Sequence, residues 1–122
     1  MLLNLNGIEV EFDIFDADTA EKYEIALDNL EASGEEAKKT GQNGKLSEII
    51  RMQCEGVIDF VDDIFGDGTA REIFGERTNL RESLKIAKQI IDAGDKQRKE
   101  FEAERMLEVS EKSNRAQRRA KK

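Results

Sequence analysis

Between Leu46 and Phe65 apolar side chains recur at steps of three and four residues, and this periodicity constrains the fold more than any other feature. Leu46, Ile50, Cys54, Val57, Val61 and Ile64 form one stripe, widened by Ile49, Ile58, Phe60 and Phe65. A stripe this broad predicts an amphipathic helix at the centre of a hydrophobic core. Gly56 interrupts it at a cost of about 1 kcal/mol relative to Ala. Either another helix crosses closely there, or the helix tolerates a weak position.

Two further helical patterns flank this one. Upstream, Asp16-Ala17-Asp18-Thr19 opens a helix whose narrow stripe is Ala20, Tyr23, Leu27 and Leu30, with Asp18 and Glu21 at capping-box spacing. It should fade near Ser33-Gly34 or run on weakly to Thr40, before the loop Gly41-Gln42-Asn43-Gly44. Downstream, Leu80, Leu84, Ala87 and Ile91 share a face, with Ile86 and Ile90 beside it. Beyond Gly94 the pattern thins to Phe101, Met106, Leu107 and Val109 among many charges, which predicts a solvated extension that a partner would cover.

A short echo joins the second and last patterns. Asp63-Ile64-Phe65-Gly66-Asp67-Gly68-Thr69 is followed by Glu72-Ile73-Phe74-Gly75-Glu76-Arg77-Thr78. Each unit places Gly where a helix stops, because Gly takes the left-handed conformation cheaply. Thr69 with Glu72, and Asn79 with Glu82, repeat the capping-box spacing. One helix should end near Phe65, a short one should occupy 70–74, and a long one should begin near Leu80.

Residues 2–15 alternate instead. Leu3, Leu5, Ile8, Val10, Phe12 and Ile14 interleave with Asn4, Asn6, Glu9, Glu11 and Asp13, and Asn6-Gly7 sits between the halves. Asn-Gly between alternating runs is the strongest short hairpin signal. Together these elements predict a mainly α fold: a small helical bundle with an N-terminal β-hairpin over 1–94, and a charged C-terminal extension over 95–122 that is helical or disordered.

Composition narrows the function. Among 122 residues there is no His and a single Cys, Cys54. That removes Ser-His and Cys-His nucleophile pairs and an ordinary zinc site. The expectation is a protein that is not an enzyme and takes no cofactor or metal. A lone Cys on an apolar helix face reads as a small buried hydrophobe, and it agrees with a reducing cytoplasm. The start of the chain lacks the basic and apolar regions of a signal peptide, and no apolar run is long enough to span a membrane.

Charge is distributed unevenly. Residues 112–122 hold Lys112, Arg115, Arg118, Arg119, Lys121 and Lys122 and no acid. With those six set aside, 14 basic side chains face 27 acidic ones over residues 1–111, a net charge of −13. Such an acidic body disfavours nucleic acid as the main ligand, since phosphate binding wants a basic surface. Asp59, Asp62, Asp63 and Asp67 lie close together, but their spacing matches no calcium loop and reads as a solvated face. Gly66-x-Gly68-Thr69 lacks the lysine and glycine pattern of a phosphate loop and reads as helix termination.

The order of these features resembles the tail assembly chaperones of long-tailed bacteriophages and prophages of Gram-positive bacteria. The likeness rests on Phe60-Val61-Asp62-Asp63-Ile64-Phe65-Gly66-Asp67-Gly68-Thr69, on Ile73-Phe74-Gly75 with Asn79-Leu80, and on Asn114-Arg115-Ala116-Gln117-Arg118-Arg119. It spans most of the chain, but its motifs are structural and carry no catalytic residue. The resemblance implies a small acidic helical protein that coats the tape measure protein before the tail tube forms, with the tube protein as a further partner. On this reading the apolar contact surface is the hairpin face (Val10, Phe12, Ile14) with the 65–74 turn (Phe65, Ile73, Phe74). A homo-oligomer is a separate expectation, since the apolar face of an isolated hairpin must lie on the helices or on another subunit. Two rival classes are a virion tail or connector component, and a small regulator that binds nucleic acid through the basic tail.

Overall fold

The computed structural model describes residues 1–41 and 44–120, with side-chain surroundings through residue 108. Two strands, β1 (Leu2–Leu5) and β2 (Ile8–Glu11), precede four helices: α1 (Ala17–Gly41), α2 (Leu46–Phe65), α3 (Thr69–Phe74) and α4 (Leu80–Ala120).

The strands form an antiparallel hairpin in which Leu3 faces Val10 and Leu5 faces Ile8. Asn6 (φ 54°) and Gly7 (φ 88°) make the turn, both in the left-handed region that a two-residue hairpin of this hand requires. The register collects every apolar side chain of the pairing face on one side. An isolated hairpin is marginal in water, and here it is covered and tied down. Leu3 and Leu5 are buried, while Ile8 and Val10 pack against the core. Gln89 of α4 donates from Nε2 to the Asn4 carbonyl at 2.7 Å. The ladder is shorter than the alternation, ending at Glu11, but Phe12 and Ile14 still point inward and are buried.

α1 starts one residue before the expected cap. Asp16 sits at the boundary: its carbonyl accepts the Ala20 amide at 2.9 Å and its Oδ2 accepts the Thr19 hydroxyl at 3.4 Å. Asp18 is instead inside the first turn, where a carboxylate complements the positive helix end. Of the two expected ends the helix takes the later one, passing Ser33-Gly34 and running to Gly41. Burial of Ala26 and Ala37 extends its inner face beyond the narrow stripe that large side chains mark.

α1 is also the helix that crosses α2 at Gly56. A Cβ at Gly56 would lie 3.0 Å from Ser33 Cβ, so any larger residue would push the two helices apart by a few tenths of an ångström. α2 and α3 end at Gly66 and Gly75, whose amides donate to the Asp62 and Arg71 carbonyls at 2.8 Å each. α3 is capped from outside itself. Asp62 Oδ1 accepts the Ala70 amide at 2.9 Å, in place of the expected Thr69–Glu72 box. Asn79 does cap α4, with Oδ1 accepting the Glu82 amide at 3.1 Å.

The core gathers Leu5, Phe12, Tyr23, Val57, Phe60, Val61, Ile86 and Ile90 from the hairpin and the three long helices. Phe12 makes edge contacts with Tyr23 (5.3 Å between centroids) and Phe65 (5.8 Å). α4 is rotated relative to the sequence reading. Ser83, Ile86, Ala87, Ile90, Ala93, Gly94 and Gln97 face inward, whereas Leu84 is 51% exposed. Two anchors account for the rotation. The Tyr23 ring sits on Gly94, where a Cβ would come within 2.9 Å of the hydroxyl and 3.1 Å of the ring. One turn later the Gln97 amide meets the segment after β2, with Oε1 accepting from the Ile14 amide at 3.0 Å and Nε2 donating to the Phe12 carbonyl at 2.8 Å. Contacts with the body continue past Gly94, through Gln97 to Phe101, whose ring lies 4.5 Å from that of Phe15, while the side chains from Arg98 to Glu108 are otherwise largely exposed.

Candidate protein-binding groove

The rotation of α4 leaves apolar surface uncovered between three helices. α1 contributes Leu30, Ser33 and Gly34, α2 contributes Gln53 and Val57, and α4 contributes Leu84, Ala87 and Ile91. They line an open groove of about 390 Å³. Its floor is possible because Ser33, Gly34 and Ala87 are small, while Leu30, Leu84 and Ile91 form apolar walls. The charged lining residues are Lys38 on α1 and Lys88 on α4, with no carboxylate among them. In a chain whose first 111 residues carry 27 acids, an acid-free groove is a local exception. Such a surface can accept the apolar face of an amphipathic helix, the helix-in-groove mode of recognition.

The residues expected to form the contact surface lie elsewhere. Phe12, Ile14, Ile73 and Phe74 are buried, and Val10 and Phe65 are partly buried against the same core. The fold does bring them together, since Phe12 stacks edge-on against Phe65. It joins them as interior, however, so they form no exposed docking face in this conformation. The reason is the alternation itself: it marks a face that must be covered, and α1, α2 and α4 cover it. The backbone at Lys112, Arg115, Arg118 and Arg119 lies in the last turns of α4, but their side chains lie outside the described residues, as do Lys121 and Lys122 altogether. The groove residue Leu84 was visible in the sequence as part of a stripe. That it would be left uncovered was not, because the pairing of Tyr23 with Gly94 has no local signature.

The other candidate chemistry is structural where it can be followed. Cys54 is buried, and the Ser83 hydroxyl donates to its Sγ at 3.5 Å. Asp62 caps α3, and no group of His, Cys, Asp and Glu side chains among the described residues is arranged to hold a metal ion. No helix among the described residues is long and apolar enough to cross a membrane. Partial burial holds the Asp59 carboxyl above the ordinary carboxylate value, helped by the charges of Asp63, Asp62 and Glu55. Glu55 and Asp63 lie one turn before and after Asp59, and like charges at this spacing oppose the helix. A raised folded-state value means that ionisation costs stability above that value and costs nothing well below the unfolded value of 3.8. Asp59→Asn should therefore stabilise the protein at neutral pH by about 0.5 kcal/mol. Urea denaturation at several pH values checks this, and the gain should shrink as the pH falls through the carboxylate range and be gone well below 3.8.

No curated protein and no solved structure matches the chain. A single profile covers it nearly from end to end, over residues 6–122, and by that match the protein belongs to a family of unknown function, DUF6673.

Proposed function

We propose that the protein is a tail assembly chaperone of a long-tailed bacteriophage or prophage: a non-enzymatic protein of the host cytoplasm that keeps the tape measure protein soluble until the tail tube is built. The observation that carries this reading is the groove walled by Leu30, Leu84 and Ile91 on an acidic body. A tape measure is a long helical rod with an apolar seam. Laying that seam in the groove removes it from water, and the acidic exterior then repels neighbouring coated rods. The contact surface in this proposal is the groove, in place of the hairpin face and the 65–74 turn.

Co-expression with the tape measure protein tests it. The unmodified chain should hold the tape measure in the soluble fraction as a complex. Leu84→Asp combined with Ile91→Asp should lose that complex while retaining its helical circular dichroism. A folded double variant that still solubilises the tape measure would overturn the reading. Presence of the protein at stoichiometric amounts in purified particles would favour a structural tail component instead.

A further inference from the structure

We propose that the free protein is a dimer in which the α4 extension of one copy lies across the groove of the other. The inference does not rest on the tape measure assignment. It starts from two uncovered apolar surfaces in one chain. The first is the groove, with Leu84 half exposed. The second is on the extension, where Met106 is 73% and Leu107 66% exposed on an otherwise charged helix.

These surfaces cannot meet within one copy. Both lie on α4, which is unbroken from Leu80 to Ala120. Leu84 and Met106 are therefore held roughly 33 Å apart along one helix axis at 1.5 Å per residue. A second copy has no such restriction. Met106 lies about five full turns beyond Lys88, so it projects from the side of α4 that lines the groove. Two α4 helices packed antiparallel across this common side place Met106 of each copy over the Leu84–Ile91 wall of the other. The contact is then made twice about a two-fold axis, the usual form of a small homodimer.

Charge agrees with this occupant. The lysines of the groove, Lys38 and Lys88, meet a segment in which Glu102 lies one turn before Met106 on the same side. Arg105 points about 100° away around the helix. The pairing thus matches apolar to apolar and Lys88 to Glu102, and it brings Asp95 of each copy, on the same side of α4 as Met106, near the two-fold axis with Lys99 one turn away.

Sedimentation equilibrium on the full chain tests the proposal. The expected mass is that of two chains at tens of micromolar. Met106→Asp changes a side chain that already faces water, so it leaves the fold intact, and it should weaken the dimer at least tenfold. Leu84→Asp should do the same. Mixing Leu84→Cys protein with Met106→Cys protein under oxidation should give a cross-linked heterodimer, because Cys54 is buried. A monomer at 100 µM, or a dimer that survives Met106→Asp unchanged, would overturn the proposal. A dimer broken by Leu84→Asp alone would also overturn it, because the groove would then have a different occupant.

Discussion

Truncating Phe12 to Ala should lower stability by about 3–5 kcal/mol, the largest effect expected from any single substitution in this protein. Phe12 has no exposed surface, and its ring contacts Tyr23 of α1 and Phe65 of α2 by their edges. It sits just past the end of β2, so its ring is the wedge by which the hairpin segment enters the helical core. Removing it leaves a cavity among residues from three separate elements, which cannot all move in to fill it. Small domains have a total stability of about 5–15 kcal/mol, so the loss should be visible as a large fall in the urea midpoint with little change in slope. The same experiment separates two roles for this residue. A loss of stability of less than about 1 kcal/mol would mean that Phe12 is not core, and would return it to the candidate contact surface.

Replacing Gln97 by Ala should cost about 2–4 kcal/mol, although Gln97 lies on a helix that is otherwise charged beyond this point. Its side-chain amide satisfies two backbone groups that no strand partner reaches, the Ile14 amide and the Phe12 carbonyl. In effect the side chain extends the ladder where β2 has stopped. Deleting it leaves both groups buried and unpaired, and an unmade buried bond costs more than a made one gains. Gln97→Glu tests the direction of the bonds. A carboxylate still accepts from Ile14 but cannot donate to Phe12, and it introduces a charge into a buried position. It should be no better than Ala at neutral pH. Gln89→Ala is the control, since its bond to the Asn4 carbonyl is exposed. That change should cost under about 1 kcal/mol. Hydrogen exchange of the Ile14 amide reads the same contact locally, and its protection should fall sharply in Gln97→Ala.

These two residues show where local reading stops. Phe12 belonged to a visible alternation, so its inward direction followed from the period of two along a strand. Whether that inward face meets a partner or its own helices could not follow, because a pattern says that a face is covered without saying by what. Gln97 carried no signal at all. A polar residue on a polar helix segment looks solvated until the chain more than eighty residues earlier is folded against it.

The ends of the elements divide in the same way. Gly66, Gly75 and Asn79 act within their own neighbourhood, through amides and carbonyls a few residues distant, so the stops of α2 and α3 and the start of α4 were legible. The cap of α3 was not. Thr69 and Glu72 had the right spacing, but the amide of Ala70 is satisfied by Asp62 from the preceding helix. For α1 the sequence left two ends open, and burial of Ala37 selects the later one, past the Ser-Gly pair.

By itself, then, the amino-acid sequence determined the number and order of the elements, the hairpin turn at Asn6-Gly7, and the place of α2 at the centre. All of these depend on periodicity and on contacts within a few residues. Only the tertiary structure decided the rotation of α4 and the exposure of Leu84, hence the groove. That rotation is set by Tyr23 against Gly94 and by Gln97 against the Phe12–Ile14 backbone. Both are meetings of residues far apart in the chain, and close packing admits one rotation of the helix that satisfies both at once.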